Sequence, residues 1–259
     1  MTAVEVAHSE AGQADAPVVV LSNSLGATRA MWNDQVPALA ARFRVLTYDT
    51  RGHGESPAPV GPYSVDDLVD DVVALLDRLG VERAHVAGLS LGGMTGMRLA
   101  AREPARVQRL AVLCTSAKPN PQGFLDRAVA VRSGGTAPLA PAIVSRWLTP
   151  AYAAAHPDLV ARLEAMVAGA DDEGYASCCE AVARLDLRQD LARITAPTLV
   201  VSGAEDPALP PEHQRAIAEG VADAELLSVS PAAHLANLEQ ALRITGALLG
   251  HFDPAGGAA

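Results

Sequence analysis

One short segment combines a candidate nucleophile with a backbone pattern that would expose it. Residues 88–92 read Gly-Leu-Ser-Leu-Gly and follow directly after the apolar run Ala84–Ala87. A helix-compatible segment, Met94–Arg102, comes next. In such a strand–turn–helix the serine is held in a strained conformation with its Oγ exposed at the end of the strand. The two glycines leave room where Cβ atoms would collide. We therefore predict that Ser90 is a nucleophile.

A serine hydroxyl becomes a strong nucleophile when a base takes its proton and an acid orients that base. Asp206 directly follows one predicted strand, and His234 follows the next predicted strand along the chain. Because parallel strands end at one edge of a sheet, both side chains are expected to meet Ser90 there. We predict that His234 accepts the serine proton and that Asp206 orients His234. Glu205 is an alternative for the acid.

The other histidines are weaker candidates for the base. His85 lies in the strand before Ser90, where a buried structural role is favoured, and His213 lies on a helix that is predicted to be exposed. His53 belongs to the loop 49–56, which holds Asp, Arg, His and Ser together. We interpret this loop as a structural turn, because its two glycines suit tight bends while its Asp and Arg can tie it down. The remaining three lie in peripheral contexts: His8, His156 and His251.

Attack on a carbonyl group places negative charge on its oxygen, and backbone N–H groups can stabilise that charge. The helix after Ser90 begins at Leu91 and directs free N–H groups towards whatever the serine attacks. A second donor is expected from the polar loop 22–26, which follows the apolar strand 17–21. We assign that donor to Leu25. The predicted oxyanion hole consists of the N–H groups of Leu25 and Leu91.

Strands and helices alternate along the first part of the chain, which predicts right-handed crossovers and a mostly parallel sheet flanked by helices. The fold class is therefore predicted to be α/β. The predicted strands are 4–8, 17–21, 44–48, 84–87, 107–114, 198–203 and 225–229. The predicted helices are 29–41, 64–80, 91–102, 211–219 and 235–249.

The alternation stops between residues 115 and 190, where prolines separate short Ala-rich segments and no strong strand signal occurs. Longer crossover helices alone would not require about 75 residues. We predict that residues 1–115 and 191–259 form the core. Residues 116–190 are predicted to be a helical cap inserted over the carboxyl edge of the sheet.

The composition of the chain argues against some binding partners and some cellular locations. The chain has 259 residues with a net charge of −10 and no basic cluster, which argues against nucleic acid and anionic membranes as partners. The first residues lack the basic and apolar regions of a signal peptide, and no apolar run approaches the roughly 20 residues of a membrane span. Three cysteines, two of them adjacent, do not suggest a disulfide framework or a metal site. We expect a cytoplasmic location.

Several motifs together resemble the 3-oxoadipate enol-lactonases of the α/β-hydrolase superfamily, and the match covers nearly the whole chain. The S-N-S-L-G, R-W-L-T and A-H-L-x-N-x-E-Q motifs are discriminating, whereas G-L-S-L-G-G is shared by many α/β-hydrolases. The N-terminus is short for this family, so the first antiparallel strand is expected to be missing. The matching segments are Leu21–Gly26, Met31–Trp32, Tyr48–Gly54, Gly61–Tyr63, Gly88–Met94, Arg146–Thr149, Gly174–Tyr175, Cys178–Cys179 and Ala233–Gln240.

The resemblance implies hydrolysis of 3-oxoadipate enol-lactone to 3-oxoadipate in the β-ketoadipate route of aromatic breakdown, without a metal or organic cofactor. Its Ser–Asp–His order also matches Ser90, Asp206 and His234. The substrate is a small anionic lactone, so its carboxylate needs a cation, and we expect one in the predicted cap. Arg146 beside Trp147 is the first candidate and Arg132 the second. Arg146 could equally be a solvated surface charge, that alternative is favoured for Arg132, and Trp147 could equally belong to the core of the cap.

Two other functions stay open from the sequence. One is a serine hydrolase on the same frame that acts on a carboxylester, a C–C bond or a peracid. The other is a receptor that binds a ligand in the pocket without catalysis, against which the complete Ser–Asp–His set argues. Dehalogenases and epoxide hydrolases are disfavoured because their nucleophile is an aspartate where this chain has Ser90.

Overall fold

Seven strands form one sheet in the part of the chain that the computed structural model describes, residues 2–253. Their order across the sheet is β1-β3-β2-β4-β5-β6-β7, with β1 antiparallel to β3 and the other pairs parallel. The predicted α/β class is confirmed. The strands are β1 (His8–Ala11), β2 (Val18–Ser22), β3 (Arg44–Tyr48), β4 (Ala84–Leu89), β5 (Val107–Leu113), β6 (Thr198–Gly203) and β7 (Ala224–Val229).

Eleven α-helices occur between residues 2 and 253 and cover the sheet. They are α1 (Val36–Ala40), α2 (Val65–Arg78), α3 (Leu91–Arg102), α4 (Pro121–Gly134), α5 (Ala140–Val144), α6 (Pro150–Ala155), α7 (Pro157–Ala168), α8 (Asp172–Ala183), α9 (Pro211–Gly220), α10 (Ala236–Glu239) and α11 (Ala241–Phe252). Within the same residues, no helix is both long enough and apolar enough to cross a membrane.

The central strands end level with one another, which brings their following loops together. In the parallel ladder Leu89 pairs with Leu113, and Leu113 pairs with Val201. Strands β4 and β6 are buried along their whole length, as expected where helices cover both faces of a parallel sheet. The loops after β4, β5 and β6 therefore leave the sheet at one edge.

Helix α2 shows why the loop after β3 is rigid. Ser64 caps the helix by accepting a hydrogen bond from the Asp67 N–H at 3.2 Å, and the Asp67 carboxylate accepts from the Ser64 N–H at 2.8 Å. The next turn presents Asp71, whose carboxylate accepts hydrogen bonds of 2.6 Å from the Arg51 Nε and Nη2 atoms. Because Arg51 is fully buried, this ion pair ties the loop 49–56 to the helix.

The first strand prediction is wrong in its position. Residues 4–7 are not in a strand, and side chains bind two of their N–H groups: the Val4 N–H donates to Asp71 Oδ1 at 2.7 Å and the Ala7 N–H donates to Ser56 Oγ at 2.9 Å. The Ala7 carbonyl accepts from the Asp49 N–H at 2.9 Å, just before the strand begins. The strand instead begins at His8 and runs antiparallel to β3. The expectation that an antiparallel first strand is missing is therefore also wrong.

Two predicted helices are divided in the structure. The segment 29–41 contains a 3₁₀ turn, Arg29–Trp32, and the separate helix α1. Between them Gln35 is buried and its Nε2 donates to the Asn237 carbonyl at 2.9 Å, a contact with the far end of the chain that local periodicity does not reveal. The segment 235–249 is likewise divided into α10 and α11 at Gln240.

Helices α4 to α8 fill the segment between β5 and β6, and all residues of this segment are described and none is in a strand. Helix α4 packs along α8. That residues 116–190 form a cap separate from a core of residues 1–115 and 191–259 stays a prediction. For the site it matters that α4 and the residues after α5 reach the carboxyl edge of the sheet.

Candidate active site

The turn between β4 and α3 places Ser90 in a strained conformation. Its φ of 55° lies in the left-handed region, which non-glycine residues rarely adopt. Two hydrogen bonds hold the turn in place: the Ser90 N–H donates to the Leu113 carbonyl at 2.9 Å, and the Thr115 hydroxyl donates to the Ser90 carbonyl at 2.6 Å. The surrounding structure therefore stabilises a backbone geometry that exposes Oγ.

The two glycines of the motif are required by close backbone packing. A Cβ atom on Gly88 would lie 2.1 Å from the Gly92 carbonyl oxygen, and a Cβ on Gly92 would lie 2.2 Å from the Ser22 carbonyl oxygen. Both distances are far below van der Waals contact. A side chain at Gly88 would displace the start of α3, and a side chain at Gly92 would push α3 away from the end of β2.

Asp206 and His234 form a buried pair at the same edge. The His234 Nδ1–H donates to Asp206 Oδ2 at 2.8 Å. Asp206 Oδ1 accepts from the Ala208 and Leu209 N–H groups at 2.8 and 3.1 Å, so the carboxylate is fixed in one orientation. With its proton on Nδ1, the imidazole has Nε2 free to accept a proton, which is the arrangement that a general base needs.

Glu205, the alternative acid, is used elsewhere. Its carboxylate accepts from the Ser230 hydroxyl at 2.6 Å and from the Ala232 N–H at 2.7 Å, and it thereby supports the turn that leads to His234. On the other side of this turn, the buried Glu239 accepts from the Ala233 N–H at 2.5 Å. These contacts position the loop of His234 and give Glu205 no contact with the imidazole.

Two backbone N–H groups near Ser90, those of Leu25 and Leu91, were predicted to form the oxyanion hole, and the hydrogen bonds around them show whether they are available. In the loop after β2, the Ser24 N–H donates to Met31 Sδ at 3.3 Å and the Gly26 N–H donates to His53 Nε2 at 2.9 Å. Among the described residues the intervening Leu25 N–H has no acceptor. The same is true of the Leu91 N–H at the first position of α3, where a helix leaves its N–H groups unpaired.

His53 holds this loop through a hydrogen bond with Gly26. Its ring is buried, Nδ1 donates to the Arg51 carbonyl at 3.1 Å, and Nε2 accepts from Gly26. Burial lowers the pKa of His53, which keeps Nε2 unprotonated and able to accept. The contacts agree with the structural interpretation of the loop 49–56, and they give His53 the further task of fixing the residue next to Leu25.

Ser90 and His234 line one cavity of about 320 Å³. The walls come from the loop after β2, from helix α4, from the segment around Trp147 and from the loop after β6. The other lining residues are Ser24, Leu25, Asn120, Gly123, Phe124, Arg127, Ile143, Arg146, Trp147, Ala208, Leu209, Pro210, Glu212 and His213. Such a cavity suits a small molecule that is smaller than a typical drug.

Three residues were predicted from the sequence to bind substrate, and the structure places two of them at this cavity. Trp147 is buried in its wall, and Arg146 is exposed and donates from Nη2 to the Pro207 carbonyl at 2.7 Å. Arg132 is not among the lining residues. It forms ion pairs with Glu173 and Glu180 and holds the pKa of Glu173 down at about 2. The expectation for Arg132 is therefore corrected.

Sequence reasoning missed the face of α4 that borders the cavity. Asn120, Gly123, Phe124 and Arg127 follow the i, i+3, i+4, i+7 spacing of one helix face, a signal that the printed sequence contains. The expectation that His213 lies on an exposed helix also needs correction: it is half-buried, lines the cavity, and its Nδ1 lies 2.9 Å from the Ser116 hydroxyl oxygen.

Metal-binding groups and cysteine thiols are the other side chains that could carry chemistry. Across residues 2–253 there is no group of three or more His, Cys, Asp or Glu side chains arranged to hold a metal ion. The three cysteines are free and buried, and burial raises the pKa of each thiol, to about 12 for Cys179. A neutral buried thiol is a poor nucleophile, which favours Ser90 as the reactive group.

Comparisons with known proteins point to one family. Residues 17–241 match the model of the alpha/beta hydrolase fold family. The chain is 42% identical to 3-oxoadipate enol-lactonase 2 of Acinetobacter baylyi over 93% of this chain and 91% of that protein. It is 36% identical to 3-oxoadipate enol-lactonase 1 of the same organism, over 88% and 86% of the two chains. The crystal structure of the enol-lactonase from Burkholderia xenovorans superposes with a TM-score of 0.94 at 41% identity, covering 96% of each chain.

Proposed function

Because the chain belongs to the alpha/beta hydrolase fold family and, within it, to the 3-oxoadipate enol-lactonases, we propose that Ser90 attacks 3-oxoadipate enol-lactone as the first step of its hydrolysis to 3-oxoadipate. The observation that carries the proposal is the composition of the cavity. It places Ser90, a histidine with a fixed tautomer and two arginines around a volume suited to a small anionic lactone.

In the first half-reaction His234 Nε2 takes the Ser90 proton while Oγ adds to the lactone carbonyl carbon. The resulting oxyanion lies between the N–H groups of Leu25 and Leu91, and Asp206 stabilises the imidazolium. Collapse breaks the bond between the acyl carbon and the ring oxygen. The leaving group is an enolate, which departs more easily than an alkoxide. It takes up at carbon, directly or through water, the proton that His234 accepted from Ser90, so that the ketone forms and the imidazole is neutral again.

In the second half-reaction water replaces the enolate as the partner of His234. The imidazole removes a proton from water, the hydroxide adds to the acyl carbon, and Ser90 Oγ leaves with the proton that His234 returns. The products are 3-oxoadipate and free enzyme, so no electrons are exchanged and no cofactor is required. We expect an unchanged rate after dialysis against a metal chelator.

The walls of the cavity are assigned to substrate binding. Trp147 supplies an apolar surface beside Ser90, and the exposed Arg146 supplies positive charge where the anionic substrate enters. We propose that residues 116–190 act as the cap that contributes these groups, and that the protein is cytoplasmic, which is supported by three free buried thiols. The net charge of −10 supports a function without nucleic-acid or membrane partners.

The test is steady-state turnover of synthetic 3-oxoadipate enol-lactone by the purified full-length protein. The matched panel contains simple carboxylesters, a C–C diketone substrate and a peracid assay, with Ser90→Ala as the inactive control. We expect kcat/KM for the enol-lactone to exceed that for every other substrate by at least about 100-fold, in the range of 10⁴–10⁸ M⁻¹s⁻¹ that is typical of enzymes. Preference for another class in the panel would overturn the substrate assignment but keep the nucleophile.

A further inference from the structure

One arginine of the cavity wall is partly withdrawn from solvent without an acidic partner. Arg127 lies on α4, is half-buried and lines the same cavity as Ser90. Within residues 2–253 no carboxylate lies within 4.0 Å of its guanidinium group. Its recorded contacts are the Tyr175 hydroxyl, 3.4 Å from Nη1, and the Phe124 ring, whose centroid lies 5.4 Å from Cζ.

Neither contact neutralises the positive charge. Burial raises the pKa of the Tyr175 hydroxyl, so it stays protonated and acts only as a neutral acceptor. The Phe124 ring offers a cation–π contact, which carries no net charge. A guanidinium group in such a place is incompletely compensated and is therefore ready to bind an anion from the cavity.

Other arginines of the protein show what a structural role looks like here. Arg51, fully buried, is paired with Asp71. Arg132, one turn and a residue further along α4 than Arg127, is paired with Glu173 and Glu180. Arg98 is paired with Asp66 and Asp190. Unlike these three arginines, Arg127 has no carboxylate partner among the described residues, although it belongs to the same helix as Arg132.

Tyr175 links Arg127 to the loop after β2. The Tyr175 Cε2 atom would be 3.1 Å from a Cβ atom placed on Gly26, so the ring packs directly against the residue after Leu25. The hydroxyl, on the ring carbon next to Cε2, contacts Arg127. The same edge of the Tyr175 ring therefore touches both the residue after Leu25 and the guanidinium group, which places Arg127 near the loop of the proposed oxyanion donor.

We propose that Arg127 is the specificity-determining residue that binds the free carboxylate of the substrate and so sets the orientation of the lactone ring over Ser90. This inference rests on the proposed function, because it takes the anionic enol-lactone as the substrate. Arg146, which is exposed and bound to a backbone carbonyl, attracts the anion at the entrance and does not select it. The protein therefore discriminates against lactones that lack a carboxylate on this arm.

The experiment compares kcat/KM for the enol-lactone acid and for its neutral methyl ester in wild type, Arg127→Met and Arg127→Lys. Methionine keeps an unbranched apolar chain on α4 while removing the charge. Charge-assisted hydrogen bonds are the strong ones, so Arg127→Met is expected to lose about 10- to 100-fold for the acid and less than about threefold for the ester. Arg127→Lys should recover only part of the loss, since a point charge does not reproduce the planar fork of the guanidinium group.

Arg132→Met on the same helix is the matched control, and we expect less than about a twofold change for either substrate, as for a surface ion pair. An equal loss for acid and ester in Arg127→Met, or no loss in either, would overturn the proposal. A wild-type protein that turns over neither lactone, but hydrolyses another substrate of the panel, would overturn the proposed function instead. The ester rate and the thermal midpoint of Arg127→Met identify a variant that is merely unfolded, and Arg127→Lys then decides the question through its acid-to-ester ratio.

Discussion

Polar groups in the loops at the strand ends have several hydrogen-bond partners each, whereas the arginine that α4 directs to the cavity has few. In the loops, Asp206 is bound by three donors and the Ser90 backbone is fixed from both sides, so that one arrangement is available. On α4, Arg127 reaches the cavity with only a neutral hydroxyl and a ring as partners. Under the proposed function, the catalytic groups are therefore held in place by the protein before substrate binds, whereas Arg127 obtains its charged partner from the substrate.

The largest expected effect on activity comes from substituting the catalytic residues in the loops. Ser90→Ala and His234→Ala should each lower kcat by roughly 10⁴–10⁶, because nucleophile and base act as one unit. The double variant should be about as impaired as either single variant. Circular dichroism and the thermal midpoint serve as controls for folding. Retention of more than about a tenth of the wild-type kcat in either variant would refute the assignment.

A smaller effect on kcat is expected from substituting His53, which supports the loop of the proposed oxyanion donor but does not itself react. His53→Ala removes the acceptor of the Gly26 N–H and loosens the Leu25 donor. Loss of a complete oxyanion donor costs about 10²–10³ in kcat, so loss of its support should cost about 10- to 100-fold, with KM little changed. The acid and ester lactones should be affected alike. An effect on KM alone would show that His53 acts on substrate binding.

The smallest expected effect concerns stability and lies outside both regions. His85 is buried between Phe43 and Phe252, and burial together with the nearby positive charge of Arg109 lowers its pKa to about 4. The unfolded chain takes up this proton near pH 6.5, whereas the folded protein does not. The resulting stability is fully present above about pH 6.5 and is lost as the pH falls towards about 4.

Urea unfolding of wild type and His85→Leu at pH 7.5 and pH 5.5 measures this contribution. Wild type should lose about 1 kcal/mol more than the variant over this interval. The pKa values of His53 and His251 are also lowered by burial, so the variant retains part of the pH dependence. The exposed His156, changed to Gln, is the control and should follow wild type. An identical pH dependence in wild type and His85→Leu would contradict the expected role of His85.

The sequence predicts the strands and the residues that follow them, because each strand is marked by a local run of apolar residues. Strands β3 and β6 occur where the apolar runs 44–48 and 198–203 predict them. Each of the residues Ser90, Asp206 and His234 follows such a run closely enough for topology alone to place it at one edge. The placement of these three residues at one edge of the sheet is therefore predictable from the sequence, and their catalytic roles stay predictions.

The roles of the α4 side chains were predicted less well, because their partners are far away in the sequence. Arg132 is paired with Glu173 and Glu180, 41 and 48 residues further along the chain, and no local pattern shows those partners. Arg127, on the same helix, lines the cavity instead, and its contacts are the Tyr175 hydroxyl and the Phe124 ring. The spacing of the cavity-facing residues on α4 was present in the sequence, but which face would border the cavity depends on the fold.

The most direct measurement of the central claim is the ratio of kcat/KM for the enol-lactone acid to that for its methyl ester in Asp206→Asn and Arg127→Met, each compared with wild type. Asp206→Asn should lower both rates by roughly 10⁴ and leave the ratio unchanged, because it alters only the chemistry. Arg127→Met should lower the ratio by about 10-fold or more while the ester rate stays near that of wild type. A ratio that changes in Asp206→Asn, or that stays constant in Arg127→Met, would contradict the division between preset chemistry and substrate-completed recognition.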